Sequence, residues 1–200
     1  MLGLPKSTEV NRPLPKSGLY KRLDWTPSQR ENFDAEVSRL DFVNWISPQT
    51  LPAIAIGNDV KEIFIVEVSL KTRNFDPKTI ALLAKQIPQR IVYLLRYEDE
   101  IRLAVYHTKL FTSSWQALNA ISLTFTGLNL DTVWDNIVST IGDFSIEQDK
   151  SLSEQIKIDE ERDKLIHKIE ALERQMKTTK QPRHKRELFI ELQKLKSTNL

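Results

Sequence analysis

Three residues around one apolar run, Asp59, Glu67 and Lys71, are of the types that hold a divalent metal and help cleave a phosphodiester. Metal-dependent nucleases with a restriction-endonuclease-like site set an acidic residue beside a Glu-x-Lys pair on one strand, because alternate strand residues share a face. In VEVSLK the lysine stands four residues after Glu67 with Ser69 between them. Both side chains still point to one side, but the spacing departs from the pattern. A hard cation also needs several converging oxygen ligands, and only Asp59, Glu62 and Glu67 offer themselves. The plainer alternative is a strand with a solvated outer face, on which Glu67 and Lys71 are near neighbours.

Other chemistries find less. With no cysteine there is no disulfide, thiolate zinc site or cysteine nucleophile. The histidines stand at 107, 167 and 184, none with a second ligand at metal spacing. No Gly-x-Ser-x-Gly elbow is present, and the five glycines match neither Gly-rich phosphate-binding pattern. No catalytic residue, structural metal or cofactor is expected, and a non-enzyme is favoured over an enzyme.

Basic residues make the stronger candidate. Residues 1–150 carry 17 basic and 18 acidic side chains, whereas residues 171–200 carry 8 and 3. Lys177, Lys180, Arg183, Lys185 and Arg186 form a cluster able to neutralise phosphates in a salt-dependent way. It contains no aromatic residue for base stacking, so any nucleic-acid contact should be sequence-blind. The competing explanation is a solvated turn.

The elements that would position these groups centre on Val60 to His107. Phe64, Val66, Val68 and Leu70 alternate, as on the core face of a strand. Asp76-Pro77 is a helix start, followed by Ile80, Leu83, Ala84 and Ile87 on one stripe and ended by Pro88. Arg90–Tyr97 and Ile101–His107 then read as a hairpin around the acidic turn Glu98-Asp99-Glu100. Upstream, the proline-bearing residues 1–24 predict a mostly extended arm with at best a short turn of helix. Thr26-Pro27 with Gln29 predicts a capped helix. Val37–Ile46 reads as a strand, and Leu51–Ile56 as a short one. Downstream, residues 108–119 read as a loop carrying Phe111 and Trp115, and Ile121, Leu123 and Phe125 as a strand. Asp131 should cap a helix with the apolar stripe Val133, Trp134, Ile137, Val138 and Ile141.

From about residue 148 the composition changes. Ile158, Leu165, Ile169, Leu172 and Met176 follow a four–three spacing, with Arg162 in the one polar core slot. TTKQP interrupts this pattern before Leu188, Leu192 and Leu195 resume it. One helix through Pro182 would lose about 3 kcal/mol, so an antiparallel, coiled-coil-like hairpin is the cheaper solution. Its turn would carry the basic cluster, and its apolar seam would close internally or bind a partner.

Two hundred residues with 40% apolar content suit one domain plus an appendage. The expected fold class is α+β, with a mixed or antiparallel sheet and packed helices. It would comprise a globular domain at 1–145 with an extended N-terminal arm, then the helical hairpin at 146–200. No apolar run approaches the roughly 20 residues of a membrane span, and no signal peptide is apparent. No membrane association is expected, and the location expected is cytoplasmic.

LPKSTEVN, LPKSGLY, SPQTL, DVKEIFIVEVSLK, IPQRIVYLLRYEDEIRLAV, the Ser114-Trp115 step and GLNLDTVWDNIV, followed by a charged helical hairpin, together resemble the bacterial domain of unknown function 4391 family over nearly the whole chain. A polar insertion carried by some members after His107 is short here. The resemblance carries over no catalytic residue. It implies a small accessory protein of restriction or phage-defence loci, docking on a helicase or DNA methyltransferase as a larger protein partner, with DNA contact or oligomer formation as additional expectations. A restriction-endonuclease-like nuclease and a self-associating assembly protein are the alternatives.

Overall fold

A computed structural model describes residues 3–123, 125–147, 149–179 and 181–197. It divides into two compact units, residues 1–145 and 146–200.

The first unit is built on a seven-stranded mixed sheet. Strands β1 (Glu9–Pro13), β2 (Val37–Ile46), β3 (Ile63–Leu70), β4 (Arg90–Tyr97), β5 (Glu100–His107) and β6 (Lys109–Thr112) lie side by side in that order, and β7 (Gln116–Ala117) pairs with β5. β3 and β4 are parallel, with Ile65 opposite Val92 and Val68 opposite Leu95. A parallel pair needs a crossover, supplied here by α3 (Pro77–Gln86). Asp76 caps that helix through the Lys78 N–H at 2.9 Å, and Pro77 sits where a missing N–H costs nothing. The other main-path pairings are antiparallel.

One sheet face presents Val66, Val68, Leu70, Tyr93 and Leu95 to a cluster with Phe33, Ile80 and Leu83. Phe33 lies on α2 (Pro27–Glu36), whose start is a full capping box between Thr26 and Gln29. Its ring meets Trp25 edge-on at 5.0 Å and is fully buried, so truncation to alanine would cost about 3–5 kcal/mol. By strand alternation the opposite face carries Ile63, Ile65, Val92, Leu103 and Val105, all buried. Helix α4 (Leu130–Gly142) packs against β5 and β6 with Val133, Trp134, Ile137, Val138 and Ile141 buried.

Several local expectations are corrected. The N-terminal arm is more ordered than its prolines suggest: β1 pairs with β2, and α1 (Lys16–Arg22) begins after Pro15. Thr8 is buried, accepting from Asn44 Nδ2 at 2.8 Å while its hydroxyl donates to the Pro5 carbonyl. A bulge interrupts β1 between Glu9 and Arg12, and Asn11 there has φ 50°. Residues 51–56 form turns with one bridge, Ala55 to Asn129, in place of a strand. The stretch read as a loop carries β6 and β7. Residues 121–123 and 125–126 form no strand, although Ile121 and Leu123 are buried; Thr124 lies outside the described residues. Alternation there reflects one-sided burial without a pairing neighbour. Asn129, two residues before Asp131, is the N-cap of α4, accepting the Thr132 N–H at 2.9 Å.

The second unit contains α5 (Leu152–Thr178), opened by a capping box between Ser151 and Glu154, and α6 (Pro182–Ser197). Leu172, Leu188 and Leu192 form a buried cluster, with Met176 and Leu195 packed against it. Lys168–Glu191 at 3.0 Å and Lys196–Glu173 at 2.8 Å link the two helices at the surface. No helix among the described residues is long and apolar enough to cross a membrane.

Candidate interaction surfaces

β3 separates the three residues considered for metal chemistry. Its eight residues span about 26 Å at 3.3 Å per residue. Asp59 precedes the strand and Lys71 follows it. The Asp59 backbone N–H donates to Asp131 Oδ1 at 3.1 Å, and Lys71 Nζ donates to the Asp34 carbonyl at 2.6 Å. Neither reaches Glu67. Among the described residues, no group of three or more His, Cys, Asp or Glu could hold a metal ion.

Glu67 is also not on a solvated outer face. It is 6% exposed, with Glu9 and Asn11 of the N-terminal arm beside it. Arg96 Nη1 stands 3.5 Å from its Oε1, and directly across the β2–β3 pair lies Asp41, itself bound by Arg39 at 2.6 Å. Each carboxylate thus has its own arginine. A cavity of about 230 Å³ beside Glu67 is lined by Glu9, Asn11, Asn44 and Leu94.

Asp131 performs a different task from the capping expected of it. Its carboxylate receives the backbone N–H groups of Asn58, Asp59 and Val60 at 2.6, 3.1 and 2.7 Å. Successive backbone donors form an anion-binding concavity, filled here by the chain's own side chain. Desolvation pushes the carboxyl up, but these donors and nearby Lys61 outweigh it and hold the group below the ordinary carboxylate value. Gly57 is required beside it, since a Cβ there would stand 2.3 Å from Asp131 Oδ1 and 2.8 Å from its backbone nitrogen. A comparable anchor holds α1: Lys16 Nζ and Tyr20 Oη both donate to Asp34 Oδ1 at 2.7 Å. The lysine bond is the main reason that carboxyl sits below its usual range.

An apolar cavity of about 490 Å³ opens beside α1. Leu14, Leu19, Phe42, Phe64, Ile87 and Ile91 line it, with Arg22 the one charged residue. Phe42 and Phe64 meet edge-on at 5.3 Å. Sequence reading missed this site because its walls come from four separated segments.

On the helices, the basic residues Lys177, Arg183, Lys185 and Arg186 are exposed; Lys180 lies outside the described residues. Arg183 pairs with Glu187 at 3.5 Å. Of the proposed apolar seam, Leu172, Leu188 and Leu192 are buried together, Leu165 and Ile169 are half-buried, and Ile158 is 38% exposed. Ile158 lies 20 residues, about 30 Å, from the end of α5, whereas the 16 residues of α6 reach only about 24 Å. Sequence reading also missed Ile166, Phe189 and Ile190, exposed by 41%, 49% and 48%. Their signal is apolar character beside the stripe through Leu188, Leu192 and Leu195.

A protein-family model described as Domain of unknown function (DUF4391) matches residues 2–198. No curated protein and no solved structure matches the chain.

Proposed function

The chain belongs to the DUF4391 family, and from that premise we propose that it works as a non-catalytic interaction subunit, docking on a larger protein through its helical unit. The observation that carries this reading is the concentration of exposed apolar side chains in that unit. Ile158, Ile166, Phe189 and Ile190 are four of the six large hydrophobic residues that are exposed among the described residues. A contiguous apolar patch on a protein surface marks an interaction site, and on a helix it suits a groove or a second helix.

In this reading α5 and α6 form an antiparallel, coiled-coil-like hairpin. The short connection 179–181 and the Leu172–Leu188–Leu192 cluster support it. Lys177, Lys180, Arg183, Lys185 and Arg186 then gather at the tip, where they contact the DNA phosphates engaged by the partner. The partner is a helicase or DNA methyltransferase of a restriction or phage-defence complex. That assignment rests on the family's resemblance to accessory proteins of such loci.

The test is capture of the tagged chain from its native cell, before and after nuclease treatment and at raised salt. Retention of one nucleic-acid enzyme through both treatments supports the proposal, provided it is lost on Phe189→Glu. Recovery of only a second copy of the chain would transfer the surface to self-association. Recovery of nucleic acid alone would leave the protein acting on it directly.

A further inference from the structure

We propose that the first unit binds a small amphipathic carboxylate, one acidic head on an apolar body, in the cavity beside α1. The site lies within residues 1–145 and does not rest on the docking surface of the helical unit.

The cavity begins where helical cover of the sheet stops. α3 ends at Gln86, and Pro88 forbids a further turn. Phe64 and Ile91, paired in register near the start of β3 and β4, keep one side open, with Phe42 beside Phe64. Ile87 after α3, and Leu14 and Leu19 from the N-terminal arm, raise the walls. All six side chains are half-buried, so a molecule in the cavity reaches each of them.

Size and lining set the body of the ligand. The volume is about 490 Å³, and nine of the twelve lining residues are apolar. Small-molecule sites are concave, mostly apolar and roughly 300–1,000 Å³ in volume. Side chains around an unfilled hollow forgo dispersion contacts on that side, which an apolar chain would restore. A cavity of about 150 Å³ admits a six-carbon ring, so this one has room for about ten carbons and a head group.

Charge sets the head. Arg22 is the one charged lining residue, no Asp or Glu lines the cavity, and Gln86 and Gln89 add amide donors. Arg22 is exposed and forms no ion pair among the described residues. Its guanidinium is therefore available at the mouth, where its forked N–H groups match a carboxylate. The C-terminal carbonyls of α3 oppose an anion, and solvent weakens the pair. The apolar body thus supplies most of the affinity, and Arg22 the preference for an acid over an amine.

Titration calorimetry on the full chain tests this with octanoate, decanoate and decyltrimethylammonium, each below its micellar concentration. Decanoate should bind one to one, about tenfold tighter than octanoate for its added methylenes, and more tightly than the cationic amphiphile. Ile91→Trp fills the cavity and should weaken decanoate binding by about tenfold or more, with unchanged circular dichroism. Arg22→Gln should weaken it about threefold and narrow the gap to the cation. Arg22 is exposed, so this variant folds even if Ile91→Trp does not. The proposal fails if decanoate shows no saturable binding, or if folded Ile91→Trp binds it as tightly as the native chain. It also fails if the native chain binds the cation as tightly as decanoate.

Discussion

Asp131 Oδ1 accepts the backbone N–H of Val60 at 2.7 Å, closing a loop of 71 residues. The helix α4 that covers one sheet face is thereby tied to the chain just before the central strand. Asp131→Ala should cost about 1–2 kcal/mol in chemical denaturation, as loss of a capping acceptor does, since water can reach the freed donors. The carboxyl is held below its ordinary value in the fold. Its contribution is therefore complete above the unfolded value of about 3.9 and is lost as pH falls through the lower folded value. The gap between native protein and variant should be full at pH 7 and shrink below about pH 4. An equal gap at pH 7 and pH 3 would contradict this.

Glu67 is placed as a structural partner of Arg96. Glu67→Gln keeps an acceptor for the guanidinium and should change stability by no more than about 1 kcal/mol. Nuclease assays with magnesium or manganese should give the same result for native and variant chains. A metal-dependent cleavage that vanishes in Glu67→Gln would restore the nuclease alternative.

Phe189 and Ile190 are about half exposed, so replacing them costs the isolated protein little. Phe189→Glu should alter unfolding free energy by about 0.5 kcal/mol or less while eliminating retention of the partner. Leu172→Ala, in the buried cluster, should instead destabilise by about 2–4 kcal/mol. Capture experiments paired with thermal denaturation separate the two effects.

At the basic residues, each phosphate contact adds about 0.9 to the slope of log affinity against log salt. Neutralising Lys185 and Arg186 together should lower the slope measured on duplex DNA by about two. It should do so equally for unrelated sequences, because contacts to phosphates carry no sequence information. Unchanged slopes would leave these residues as a solvated surface.

Strong local rules made much of the fold legible in the sequence. Thr26-Pro27 with Gln29, and Asp76-Pro77, mark helix starts by hydrogen-bonding logic that needs no distant partner. The stripe from Val133 to Ile141 is long enough to impose α4. β3 was recognisable from Val66, Val68 and Leu70, but burial of Glu67 was not, because it depends on what lies over the sheet. Alternation at 121–125 misled for a related reason: it reports which side is dry and says nothing about a neighbouring ladder. β6 and β7 are too short to show a period. Asp131 and Asn129 are equally good caps by type, and only the position of residues 58–60 distinguishes them. The 490 Å³ cavity is assembled from segments far apart in sequence, so no local pattern encodes it.

The bulge in β1 has a consequence for how copies of this chain meet. An unpaired strand edge is a template for indefinite growth. Here the edge is a five-residue strand broken by Asn11 at positive φ and ended by Pro13, while β6, at the other end of the sheet order, has four residues. Neither edge offers a straight row of donors and acceptors to a second sheet. The fold thus resists runaway polymerisation, and ordered assembly is left to side-chain surfaces.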